Sequence, residues 1–324
     1  MNTAQAQLGA VLAAGGPELT RLLERTESRL AEVAEGHGPK LGRHAAGTLS
    51  AGGKRLRPML VFLCANGDAD ESLVAGATAV ELLHMATLVH DDVLDRAALR
   101  RGRPTVYADG GVLAATATGD LLFSRAFAEL TATGSEDAVR ALSGASSALA
   151  RGELMQRADA WSADVSPERY LERCRLKTAS LFEASCRLGA LFGGRPPLAD
   201  PLGRFGEQLG LAFQMLDDVL DVAGPAERTG KPRGTDLLDG TVTLPLILAR
   251  RRDPGLSELS ASLTPEQAAA ICDRIAATGA LDEARERALI HVTEAKASLP
   301  DLDLPTARRH ALGLVADGVV ERYA

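Results

Sequence analysis

Apolar positions recur along this chain at three- to four-residue spacing almost from end to end, the signature of helices with one buried face. Leucines at 19, 22, 23 and 30 predict a helix over 18–34, and Gly36 to Pro39 stops it. A second helix is expected to run to about Ser50, where AGGKRLRP (51–58) breaks the pattern. Proline is favoured in a first helical turn, so Pro58 predicts a helix over 58–66. The longest apolar run follows, and a central helix over 71–96 is expected. Met85, Ala86, Leu88 and Val89 make it apolar or small on nearly every side, as in a helix buried all round. Further helices are predicted over 108–131 despite Gly110 and Gly111, with Leu113, Leu121, Leu122, Phe123 and Phe127 as core candidates, and over 135–161. Ser166 followed by Pro167 caps the next, over 167–192. Others cover 201–222, the residues after TVTLP to about 252, a short stretch near 264–278, 282–299 and 305–323. Residues 1–17 are small and polar and end in Gly15, Gly16 and Pro17, so a loosely docked start is expected. Residues 224–240 are rich in glycine, proline and charge and read as a loop. No strand-period or hairpin pattern is present. The expected fold is all-α, one large helical bundle forming a single domain over 1–324.

Chemistry concentrates where apolar helices run into aspartates. DDVLD occurs as 91–95 and again as 217–221, each behind an apolar run. Asp91 and Asp95 are four apart, so on a helix their carboxylates are neighbours and repel unless a cation lies between them. A solvated acidic face would explain one such pentad. Two, each behind a buried stretch, point to a pair facing one cavity and holding a polyphosphate through metal ions. The donors are oxygens, with no cysteine and no imidazole pair beside them, which favours magnesium completed by substrate phosphate oxygens.

Composition narrows the partners. Apolar residues make up 46% and charged residues 24%, enough for a sizeable core, and aromatics are only 3%, so alanine and leucine must fill it. A net charge of −7 argues against nucleic acid as the main partner, so anion binding must come from local clusters. Cys64, Cys174, Cys186 and Cys272 have no metal-type spacing and suggest a reducing compartment. With no signal-peptide pattern and no uninterrupted apolar run of membrane-spanning length, no membrane span and a cytoplasmic location are expected.

Local cations are present. GGKRLRP combines flexible backbone N–H groups, a helix start and three cations, which suits an anion, although a basic surface loop would read the same way. His84 lies two turns before Asp91 on the same stripe, as a ligand or a satisfied core residue. Arg100 and Arg101 follow the first pentad. Lys177 and Thr178 interrupt an apolar helix, RCRLKTASLF, and Gln214 stands one turn before Asp218. If buried, each wants a partner.

Six motifs now stand in order: GGKRLRP, HMATLVHDDVLDRAALRRG, GELMQ, LKTASLF, FQMLDDVLD and GKPRGTDLLDGTVTLP. With them the chain resembles the trans-polyprenyl diphosphate synthases, as a long-chain member, from about Leu41 to its C-terminus. The resemblance implies a bundle of the isoprenoid synthase type whose central cavity is lined by two Asp-rich helices. It implies a prenyltransferase that joins isopentenyl diphosphate to an allylic prenyl diphosphate, with about three magnesium ions. Asp91 and Asp95, with Asp92 beside them, would bind metal from one side, and Asp217, supported by Asp218 and Asp221, from the other. Arg100, Lys177 and Lys231 would hold the allylic diphosphate. Lys54, Arg57, His84 and Arg101 would hold isopentenyl diphosphate. Thr178 and Gln214 would offer oxygen dipoles to the allylic cation. Bulky aromatics four and five positions before the first aspartate close the tunnel in short-chain relatives. Here those positions hold Thr87 and Ala86, which implies a product longer than C15. Phe123, Phe127 and Leu142 are candidates for the tunnel floor. The family is usually homodimeric. Two departures stand out: Thr241 where many relatives carry lysine, and a C-terminus, VVERYA, without a basic tail. A terpene cyclase, a head-to-head condensing enzyme and a partner-dependent or regulatory subunit remain as alternatives. The first two usually lack the GGKRLRP site, and a regulatory subunit is expected to lose a pentad.

Overall fold

A helix that is apolar all round has to be enclosed, and the helix over Glu71–Leu94 (α4) is. Its first turn is capped by Asp70, whose carboxylate accepts from the Leu73 amide at 2.9 Å. It is packed by α1 (Thr3–Ala34), α3 (Leu56–Cys64), α5 (Val106–Thr131) and α8 (Ser180–Phe192). α4 alone among the described residues is long and apolar enough to cross a membrane, and most of its apolar surface is enclosed by these neighbours. The computed structural model describes residues 3–50, 53–65, 70–100, 102–224, 233–259 and 263–321.

The bundle grows outward from α8, which touches α3, α4, α6 (Glu136–Ala158) and α9 (Ala199–Ala223). Beyond α9 lies α13 (Ala280–Ser298), and α14 (Thr306–Glu321) lies along α1. Shorter helices complete the shell: α2 (Pro39–Leu49), α7 (Pro167–Cys174), α10 (Thr235–Leu238), α11 (Leu244–Arg250) and α12 (Pro265–Ala277). With few aromatics, the core is closed by bringing backbones together. A Cβ on Gly189 would fall 2.3 Å from the Val61 carbonyl oxygen, and one on Gly206 would fall 2.6 Å from that of Phe182. These contacts set α8 on α3 and α9 on α8, and larger residues could not replace them without moving a helix.

Several sequence expectations are corrected. Residues 3–15 are helical and not loosely docked: Val11 is buried and Leu8 and Leu12 pack on the core, an i, i+3, i+4 stripe that the glycines obscured. The turn comes at Gly16, at φ 76°, just before Pro17. A two-residue ladder does exist, β1 (Leu99–Arg100) against β2 (Arg103–Pro104), too short to carry an alternating pattern. Among the core candidates of α5, Leu122 is fully buried, but Leu113 is 84% exposed and Phe123 37%. The helix expected over 167–192 is divided by a π-helical turn, Arg175–Ala179, between α7 and α8.

One of the three cations of GGKRLRP is structural. Arg55 sits at φ 47° and turns inward. It donates to Glu81 at 2.6 Å, to both carboxylate oxygens of Glu27 and to the Leu49 carbonyl at 2.8 Å. A buried charge survives only when paired in this way. The contact ties α1, α2, α3 and α4 together.

Candidate active site

The π turn is the centre of the site, because its consecutive residues reach both pentads. π turns inside α-helices concentrate at functional positions, and here tight packing accounts for its place. A Cβ on Gly152 of α6 would lie 2.6 Å from the Lys177 amide nitrogen. One on Gly210 of α9 would lie 2.6 Å from the Ala179 Cα. Two helices therefore press on the turn at points that admit only hydrogen.

On one side, Lys177 faces the first pentad. Its ammonium is ion-paired with Glu153 of α6 and acts on Asp91 of α4. Burial pushes the Asp91 carboxyl up to about 6, and Glu153 and Asp95 add to the rise against the pull of Lys177 and Arg100. Asp92 is buried, and its Oδ1 accepts from Arg100 Nε and Nη2, both at 2.8 Å. Asp95 ends α4 and accepts from Arg157 Nη2 at 2.5 Å. Arg157 also donates from Nε to Glu153 at 2.7 Å. Burial opposes ionisation of Glu153, but Lys177 and Arg157 outweigh it and hold that carboxyl below its usual range.

On the other side, Thr178 begins a part-buried relay. Its hydroxyl donates to Gln214 Oε1 at 2.6 Å, and Gln214 Nε2 donates to Asp218 Oδ1 at 2.7 Å. Tyr170 donates to Asp218 Oδ2 at 2.6 Å. Burial pushes Asp218 up to about 7, and the Tyr170 and Gln214 donors restrain it. Both Asp218 oxygens are thus engaged inside the protein, whereas Asp217 is exposed. Asp221 turns elsewhere: its oxygens accept from the Thr235 and Asp236 amides at 3.2 Å, at the start of α10. This anchors the segment returning from the loop that was predicted over 224–240.

The remaining candidates fall as follows. Lys54 is exposed at the start of α3, and the Arg57 guanidinium lies 4.7 Å from the centre of the Phe182 ring. His84 is half-buried on α4. Ala86 is fully buried, and the half-buried Thr87 returns its hydroxyl to the His84 carbonyl at 2.7 Å. Arg101 and Lys231 lie outside the described residues. Sequence reasoning missed Glu153, Arg157 and Tyr170. Only the i, i+4 spacing of Glu153 and Arg157 within GELMQR offered a signal.

The donor set fits a hard divalent cation. Burial is the main reason the Asp91 carboxyl is raised, with Glu153 and Asp95 adding to it, and a cation bound there would offset that cost. Among the described residues no three carboxylate, imidazole or thiol groups form a ready-made cage. Carboxylate oxygens suit magnesium, which is usually held by one or two carboxylates and completed by substrate phosphate oxygens and water.

Comparison with known proteins agrees over most of the length. The Polyprenyl synthetase family model matches residues 39–276. The chain is 39% identical over 302 residues to heptaprenyl diphosphate synthase component 2 of Geobacillus stearothermophilus, covering 91% of this chain and 93% of that protein. Its fold is similar to that of heptaprenyl diphosphate synthase from Staphylococcus aureus, at TM-score 0.89 and 29% identity, over 94% of this chain and 99% of that one. It is also similar to polyprenyl synthase from Caulobacter crescentus CB15 complexed with calcium and isoprenyl diphosphate. There the TM-score is 0.88 and the identity 34%, over 98% of both chains.

Proposed function

The chain belongs to the polyprenyl synthetase family, and from that premise we propose that the π turn is the hinge of a condensation between two diphosphates. The enzyme is a prenyltransferase that extends an allylic diphosphate with isopentenyl diphosphate to a trans-polyprenyl diphosphate longer than C15. The observation that carries the site reading is that Lys177 pairs with Glu153, which Arg157 links to Asp95 of the first pentad, while the adjacent Thr178 joins Gln214 and Asp218 of the second.

Asp91, Asp95 and Asp217 are the carboxylates we assign to magnesium, and Arg100, Lys177 and Lys231 are assigned to the allylic diphosphate. Bound there, the ions would neutralise charge on the departing diphosphate. Lys54, Arg57, His84 and Arg101 hold isopentenyl diphosphate, which must not ionise, so cations without metal suffice. The allylic C–O bond breaks and the isopentenyl double bond attacks the allylic cation. A proton then leaves to the released diphosphate, and the chain is five carbons longer. Thr178 suits the cation because its proton is committed to Gln214, which leaves the lone pairs of Oγ1 available. Asp218 and Tyr170 hold Gln214 in that orientation. Asp221 serves the metal side indirectly, by anchoring the start of α10 to α9.

The test is the purified chain with magnesium, labelled isopentenyl diphosphate and primers of several lengths. Linear prenyl diphosphates longer than C15 are expected. Cyclic hydrocarbon, primer hydrolysis alone, or no incorporation with or without a second subunit would overturn the reading. A second reading, catalysis that depends on a partner chain, is favoured by the "component 2" in the name of the Geobacillus relative. It requires incorporation only after that partner is added. We also infer a homodimer, supported by the exposed Val112, Leu113 and Phe123 on α5. Light scattering at one chain mass would refute it. The four cysteines are buried and free, which supports a reducing, cytoplasmic setting.

A further inference from the structure

Arg157 is engaged with two carboxylates at once, and they belong to different helices. Glu153 and Arg157 are one turn apart on α6, and Asp95 ends α4. Nε lies 2.7 Å from Glu153 Oε1 and Nη2 lies 2.5 Å from Asp95 Oδ1, while the other Glu153 oxygen holds Lys177. The charges alternate along this line: Asp95, Arg157, Glu153, Lys177, Asp91. Glu153 is the fixed point. Its side chain is 16% exposed and the Gly152 contact pins its backbone against the π turn, whereas Arg157 and Asp95 are 37% and 30% exposed.

We propose that Arg157 is a place-holder cation: it occupies Asp95 until metal arrives, then swings on Glu153 to meet the diphosphate that arrives with it. A guanidinium on one oxygen of Asp95 and a divalent ion on the same carboxylate lie within a few Å and repel strongly, so loading Asp95 favours release of Arg157. Its tether to Glu153 keeps it beside the site, and a guanidinium released from one oxyanion matches the geometry of another. Arg157 therefore weakens metal binding when diphosphate is absent and strengthens it when diphosphate is present. It is a positioning residue that couples the two ligands, and the inference rests on the assignment of Asp95 to metal.

The experiment uses the full chain, with Mn2+ as a paramagnetic probe, titrated with and without inorganic diphosphate in wild type, Arg157→Met and Arg157→Lys. In Arg157→Met, Mn2+ without diphosphate should bind about fivefold more tightly, a figure discounted for partial exposure of the ion pair. The enhancement by diphosphate should shrink by a similar factor, and Arg157→Lys should recover most of it. Unchanged or weaker Mn2+ binding in Arg157→Met, with diphosphate enhancement intact, overturns the place-holder role. Failure of the wild type to bind Mn2+ even with diphosphate overturns the metal site itself. If Arg157→Met does not fold, Arg157→Gln carries the same comparison.

Discussion

Replacing Asp91 by asparagine removes a charge whose burial the folded chain resists. Burial pushes its carboxyl from 3.8 up to about 6, helped by Glu153 and Asp95 and opposed by Lys177 and Arg100. Once the group is ionised in both states, that gap corresponds to about 3 kcal/mol against folding. Between pH 3.8 and about 6 the folded chain keeps a proton that the unfolded chain has lost. Stability therefore falls as pH rises through this window, and the full cost stands above about 6. Asparagine has no such dependence. In chelator, the stability of Asp91→Asn relative to wild type should improve by about 1.4 kcal/mol between pH 5 and pH 8. Residual solvent contact of the side chain makes both figures ceilings. The assay is urea denaturation of both proteins in excess chelator at the two pH values. A difference that does not move with pH, or moves the other way, would refute the claim that Asp91 is held as an unwelcome charge awaiting a cation. The same variant should lose turnover and metal affinity, so that function falls where stability rises.

Three other outcomes follow from the geometry. Tyr170→Phe deletes a donor to the buried Asp218, costing about 1–3 kcal/mol by calorimetry or denaturant. It should also raise the Asp218 pKa further, because the lost donor favours the carboxylate. Gly152→Ala places a methyl 2.6 Å from the Lys177 amide, and the forced shift of α6 against the π turn should cost about 1–3 kcal/mol with a loss of kcat. A wild-type melting curve with wild-type turnover would mean the contact relaxes freely. Ala86→Phe, at a fully buried position of α4, should shorten the product distribution on chromatography, and unchanged lengths would separate Ala86 from chain-length control.

Much of the architecture was legible because it is local. Apolar periodicity, Ser166–Pro167 and the glycine breaks each act within one or two turns, and they located the helices of the bundle. The resemblance carried by six ordered motifs supplied the candidate chemistry without any contact being known. Phe123 and Leu113 were misjudged because periodicity reports an apolar face but not whether another element covers it. The stripe at 8, 11 and 12 was hidden by Gly15, Gly16 and Pro17, whose local signal is a break.

The two DDVLD pentads show where sequence stops. They are identical as text and present their first and fifth carboxylates in the same helical register. In the folded chain Asp92 is gripped by Arg100 and Asp95 by Arg157, while Asp218 is buried under Tyr170 and Gln214 and Asp221 caps α10. Residue type and spacing determined that carboxylates would be available at both places. Which of them a cation, a phenol or a backbone amide claims depends on partners 8 to 62 residues away in the chain. No side-chain cap in RLKTA marks the π turn that lies between the pentads. It coincides with hydrogen-only contacts at Gly152 and Gly210, on helices brought against it by the bundle as a whole.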